Sequence, residues 1–334
     1  MGLFIVRRLL ASVVVLIFVS IVVFVAMRLA PGDPAMLMLG ADAAGYVIGG
    51  AGESAYQKSL YEEKLEELRR EMGLDRPIHI QYLYWIRGIL GGNLGFSVRN
   101  ELPVLPIILG RLPATLELLV LAVIMAMIVA IPAGILAAVK HRSMFDYAVG
   151  AFSAAGFAIP VFWLGLLLIL IFGVRLGWFP VSGYIPLWES PVENLKRAFL
   201  PSLTLGLYLT AYFVRFLRAD MLEVLQQDYI RTASAKGLTQ SQIILRHALK
   251  NSLISLLTII GIVVGGLLSG AVIIEQVFGW SGLGWLLVQS IFQRDYPMVQ
   301  GIVLLAAFGF TMVNLLVDIS YGLLNPRIRA QFSK

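Results

Sequence analysis

The stretch KNSLISLLTIIGIVVGGLLSGAVIIE, Lys250 to Glu275, encloses 24 residues without a single Asp, Glu, Lys or Arg. A helix rises about 1.5 Å per residue, so a run of that length covers the roughly 30 Å hydrocarbon core of a bilayer. The same bracketing recurs along the chain. Arg8 to Arg28 encloses 19 uncharged residues, Glu117 to Lys140 encloses 22, and Asp146 to Arg175 encloses 28. Arg197 to Arg215 encloses 17, and Asp295 to Asp318 encloses 22. The shortest can be opened by Pro201, with Tyr208 and Tyr212 near an interface. Glu117 opens the second span and Glu275 closes the fifth. The whole 334-residue chain is 59% hydrophobic and only 14% charged, against about 25% charged in soluble domains. An all-α polytopic membrane protein with six transmembrane helices follows.

The first apolar segment, Leu9 to Met27, exceeds the roughly 7–15 residues of a signal-peptide core and lacks a small-residue cleavage site, so it reads as a retained span. With the N-terminus placed inside, half of the 26 Lys and Arg fall on the cytoplasmic side against only four acids. The positive-inside rule selects this orientation, with both termini cytoplasmic. Topology accounts for the net charge of +6, which leaves nothing to attribute to nucleic acid.

The organisation expected is a tail and first helix over 1–30, an extracytoplasmic segment over 31–112, and a five-helix core over 113–334. Within the outer segment Tyr61, Leu65, Leu68 and Met72 form a helical stripe that Gly73 can close. It reads either as a solvated helix over the membrane mouth or as a docking surface. Gly40 to Ala55 reads as loop.

The cytoplasmic loop over 219–251 is the most informative region. It runs DMLEVLQQDYIRTASAKGLTQSQIILRHALKN over 220–251. A polar helical run ends at Gly237, which tolerates the left-handed backbone that stops a helix. Thr239 and Gln242 have capping-box spacing for a second helix leading into the fifth span. Helices joined across a membrane face are usually connected by about 2–8 residues, so a loop this long reads as a docking element. Ala233, Ser234 and Ala235 would let a partner approach, and Leu238 would supply an apolar knob.

In the fifth span, Gly261 to Gly265 and Gly266 to Gly270 are small-xxx-small spacings, suited to close helix packing or to lining a pathway. Glu117, Gly265, Ser269 and Glu275 are the candidate pathway or gate residues, because ionisable groups at membrane depth are functional candidates by default. No catalytic or metal constellation appears. His79, His141 and His247 are far apart, there is no cysteine, and no Gly-Lys dipeptide exists to build a Walker A loop.

These residues resemble the ABC-importer permeases of the dipeptide/oligopeptide/nickel branch. The likeness rests on Arg231 to Gly237 (RTASAKG) followed by Leu238. It extends over Leu29 to Ala35 (LAPGDPA), Leu112 to Leu118 (LPATLEL), Ile159 to Gly165 (IPVFWLG), Arg294 to Pro297 (RDYP) and Asn325 to Arg329 (NPRIR). Arg231 stands where the wider consensus has Glu, and Lys250 where it has Pro. The resemblance implies a permease subunit with no catalytic residue and no cofactor of its own, ATP and Mg being bound by partner ATPases. It implies a second, related permease subunit, two cytoplasmic ATPase subunits and an extracytoplasmic solute-binding protein, all in a prokaryotic inner membrane. It also makes Tyr229, Arg231, Thr232, Ala233, Ser234, Ala235, Lys236, Gly237 and Leu238 the ATPase-coupling residues. An ion-gradient-driven secondary transporter is the alternative. It would call for ionisable groups or broken helices near the membrane midplane.

Overall fold

The computed structural model describes residues 2–29, 62–67, 69–70 and 73–324. Helices dominate. They are α1 (Gly2–Leu29), α2 (Ile78–Leu90), α3 (Val104–Val139), α4 (Met144–Ala158) and α5 (Val161–Leu168), which runs on as a π-helix over Ile169–Arg175. After them come α6 (Pro191–Leu225), α7 (Asp228–Ala235) and the single turn α8 (Gln240–Gln242), which passes through a π-helix, Ile243–Ala248, into α9 (Leu249–Val277). The chain then forms α10 (Leu283–Phe292) and α11 (Tyr296–Leu324).

Five of these stretches are long and apolar enough to cross a membrane: Val6–Leu29, Val104–Val139, Pro191–Leu225, Gln240–Leu267 and Tyr296–Ser320. The third expected span is not straight. Its two halves, Met144–Ala158 and Val161–Arg175, meet at an angle of 102°. Pro160 disfavours helical backbone at the residue before it, and Ile159 accordingly sits at φ −84°, ψ 122°. Counted as one, this pair makes a sixth span.

Two expected helix starts are corrected. α6 opens at Pro191, in the first-turn position where proline's missing N–H costs nothing, whereas Pro201 lies buried in its interior. α3 opens at Val104, so Glu117 lies well inside the helix rather than at its start. At 36 residues α3 is about 54 Å long, far more than a bilayer core requires.

The chain divides into two compact units. The first comprises Met1–Val13, Leu112–Trp285 and Phe308–Lys334. Its centre is α6, which packs against α4, α5 and α9. Leu205, Leu209, Phe213, Leu217 and Met221 are buried along it. Tyr212 joins Phe157, Phe213 and Phe216 in an aromatic cluster. Gly156 leaves room for Ala211 where α4 meets α6, a contact with no space for a Cβ.

The second unit comprises Val14–Arg111 and Leu286–Ala307. Here α2 lies on α1 through Tyr82, whose hydroxyl is 2.8 Å from Ser20 Oγ, and through Phe24, Tyr82 and Trp85 ring contacts. Asp295, in the RDYP stretch, caps α11 by accepting from the Met298 N–H. It also accepts from Ser97 Oγ and the Val98 N–H, which ties the loop before α3 to the start of α11. The expected outer helix is present over 62–67 and 69–70, with Leu65 buried. Gly73 closes it at φ +63°, with the Leu74 N–H donating to Arg69 O at 2.8 Å. Tyr61, Leu68, Met72, the stretch 40–55, residues 30–35 of LAPGDPA and the NPRIR stretch fall outside the described residues.

Candidate functional site

α7 is an amphipathic eight-residue helix. Ile230 and Ala233, 6% and 7% exposed, face the core. Arg231, Thr232, Ser234, Ala235 and Lys236 are exposed. The helix ends as the sequence demands. Gly237 takes φ +80°, its N–H donates to Ser234 O at 3.0 Å, and the Leu238 N–H donates to Ala233 O. That pair of bonds is a Schellman motif, which satisfies two carbonyls the helix end would leave open. No atom lies where a Cβ on Gly237 would sit, so the backbone angle alone calls for glycine here.

The next turn is fixed by side chains. Thr239 Oγ1 accepts from the Gln242 N–H, and Gln242 Oε1 accepts from the Thr239 N–H at 3.1 Å, a complete capping box. From there the chain enters the π-helix Ile243–Ala248, on which α7 packs, and continues into α9. Tyr229 is tied to the start of α9 as well, its hydroxyl accepting from Asn251 Nδ2 at 2.6 Å. The expected partner-facing role of Ala233 is corrected. Ala233 is buried within the chain itself and so anchors the element, whereas Leu238 is half-buried against the chain's own core.

At the far end of α9, Glu275 is fully buried. Its Oε1 accepts from Thr115 Oγ1 at 2.6 Å and its Oε2 from the Trp285 N–H at 2.9 Å. Thr115 Oγ1 in turn accepts from the Leu283 N–H at 2.8 Å. The loop FGWSGLGW, residues 278–285, wraps this carboxylate. Trp280 donates its indole N–H to Ala114 O at 2.8 Å and its backbone N–H to Glu275 O at 2.8 Å. A Cβ on Gly282 would collide with the Glu275 carboxylate and the Thr115 hydroxyl. Glu275 therefore clasps α9, α3 and this loop together. Leu112 to Leu118, quoted for its family likeness, supplies the receiving side of that clasp.

Glu117 is half-buried on α3, and its Oε1 has no hydrogen-bond partner among the described residues. Gly261 and Gly265 face Val317 and Phe310 of α11 closely enough to exclude a Cβ, so this small-xxx-small pair packs helices. The side chain of Ser269 lies outside the described residues.

One cluster has no signal in sequence spacing. Asp146, at the start of α4, is buried and accepts from Arg218 Nε and Nη2 on α6, from the Arg142 N–H at 3.0 Å, and lies 3.2 Å from His141 Nδ1. Only Ser143, which caps α4 by accepting from the Asp146 N–H, is readable locally. His141, its side chain still 46% exposed, is a member of this cluster.

Known proteins share this architecture. Residues 130–330 match the family described as binding-protein-dependent transport system inner membrane component. Residues 1–49 and 51–119 match the N-terminal region of such membrane components. The chain is 39% identical over 349 aligned residues to the dipeptide transport system permease protein DppB of Escherichia coli (strain K12), covering 98% of both proteins. It is 40% identical over 325 residues to a putative peptide transport system permease protein of Brucella abortus (strain 2308), covering 97% of this chain and 98% of that protein. Its fold is similar to a chain of the MetNI methionine ABC transporter in an inward-facing conformation, with a TM-score of 0.53 and 16% identity over 66% of this chain and 96% of that one. The chain thus belongs to the binding-protein-dependent transport system inner membrane component family, as a multi-pass permease subunit of an ABC importer with no ATPase site of its own.

Proposed function

We propose that this permease carries peptides, and that its α7 element receives mechanical work from an ATPase bound at the cytoplasmic face. The family works in assemblies with a second permease, ATPase subunits and a solute-binding protein. ATP and Mg belong to the ATPase subunits. The relatives named for dipeptide and peptide transport support peptides as the solute. They also favour the ATP-driven reading over an ion-gradient-driven transporter.

The observation that carries the coupling role is the build of the loop. Ile230, Ala233 and Leu238 anchor α7 from below, while Arg231, Thr232, Ser234, Ala235 and Lys236 stand clear of the chain. A helix held by its own core on one side and bare on the other can pass a push onward instead of absorbing it. The path of that push is covalent: α7, the Gly237 turn, the capping box, the π-helix and α9. Its far end is the Glu275 clasp, which we assign as the gate-side anchor. Single π-helical turns recur at functional sites, and Ile243–Ala248 lies at the junction where α7 meets α9.

The test is Gly237→Val in the importer reconstituted with its partner subunits. A β-branched residue at φ +80° is strongly disfavoured, so the turn must re-form. Peptide uptake per ATP hydrolysed should fall at least ten-fold with the assembly still intact. Uptake coupled as in the unaltered protein would remove the coupling role from this loop.

A further inference from the structure

We infer that the second unit holds a phospholipid headgroup site where α1 ends, selective for headgroups that carry an N–H or O–H donor beside the phosphate. α2 has no fully buried residue and leaves Leu83 and Leu90 61% and 84% exposed, with Ile78 and Tyr84 also bare. In water such a face is a liability. Its level along α1 gives the reason for it. Tyr82 and Trp85 attach to Ser20 and Phe24, inside the uncharged run that ends at Met27. Ser20 stands eight residues before Arg28, about 12 Å of helix rise. α2 therefore lies within the membrane boundary, as amphipathic interfacial helices with Trp, Tyr and Leu do.

Beside it is a cavity of about 520 Å³ with Arg28, Arg70, Arg76, Gln81, Tyr84 and Trp85 in its lining. None of the described residues lining it is acidic. Arg28 is stacked over the Phe24 ring at 5.3 Å and Arg76 over the Tyr84 ring at 4.7 Å, which holds two guanidiniums in place. Arg70 reaches Glu66 only at 3.7 Å, on the surface. Planar forks of this kind suit phosphate oxygens.

Gln81 adds selectivity. Its Nε2 donates to Leu74 O at 3.1 Å and Arg76 O at 2.7 Å, so the amide cannot flip without facing oxygen to oxygen. Its Oε1 is left buried with no partner among the described residues. An acceptor next to an arginine cluster fits a ligand with both an anion and a donor. Phosphoethanolamine and phosphoglycerol headgroups have both, whereas phosphocholine has no donor.

The assembled importer, delipidated and then exposed to equal amounts of dioleoyl phosphatidylethanolamine, phosphatidylglycerol and phosphatidylcholine, should retain the first two over the third by native mass spectrometry. Arg76→Ala and Arg28→Gln should each lower that retention about five-fold, as one surface arginine contributes. Arg76 is exposed, so its variant keeps the test open if Arg28→Gln fails to assemble. Equal retention of all three lipids, or unchanged retention in Arg76→Ala, overturns the site. So does displacement by millimolar inorganic phosphate, which would mark a free-anion site. Loss of solute-binding-protein capture with lipid retention intact would assign the pocket to that protein instead.

Discussion

Thr115 is a single hydroxyl on which three elements depend. It donates to Glu275 and accepts from the Leu283 N–H, so removing it takes a donor from a fully buried carboxylate and the acceptor from a buried N–H together. Thr115→Val keeps the shape and should cost about 2–4 kcal/mol, the usual penalty for leaving buried polar groups unsatisfied. A thermal-unfolding double-mutant cycle with Glu275→Gln checks this. The two changes should couple by at least about 1 kcal/mol, and simple additivity would mean the clasp is not a unit. Asp146→Asn should cost about 2 kcal/mol, because it weakens the hydrogen bonds from Arg218 and the Arg142 N–H, and Arg218 is only partly buried. Denaturant titration of the detergent-solubilised protein reads it. Gly237, Thr239 and Gln242 were legible in the sequence because their chemistry closes within a few residues. Glu275 could be flagged as an ionisable group at a span end. Its partner lies 160 positions away, and that of Asp146 lies 72 away, and no local spacing encodes either distance.

At the scale of elements, uncharged length finds a membrane stretch but does not say whether it is straight. The run from Asp146 to Arg175 is long enough to span, yet Ile159 and Pro160 turn it by 102°. The IPVFWLG stretch quoted for its family likeness contains that turn. Helix starts were misplaced for a related reason. Charge marks where a chain leaves the bilayer core, whereas hydrogen bonding carries α3 and α6 well past that point. α7 offers a direct test of orientation, since the chain has no native cysteine. Ser234→Cys, exposed on α7, should react with a membrane-impermeant maleimide in inverted vesicles stripped of the ATPase and not in intact cells. Labelling in intact cells would place the loop on the wrong side for an ATPase.

For the molecule as a whole, the absence of a phosphate-binding loop and the family membership agree that energy comes from elsewhere. Reconstituted alone, the chain should show no ATP-dependent uptake. Affinity purification from a membrane extract should bring down an ATPase subunit, and uptake by the isolated chain would contradict its place in an importer. By itself, the sequence determined that the chain is helical and membrane-embedded, and where its loop turns. Those outcomes follow from the cost of putting charge in hydrocarbon and from local backbone limits, both of which act over a few residues or one span. Only the tertiary structure decided that Glu275 is a clasp, that Ala233 is buried in the chain's own core, that Asp146 meets Arg218, and that α2 rests on α1. Each depends on which surfaces of distant helices meet, and helix packing is set by side-chain shape in three dimensions, which no one-dimensional spacing records.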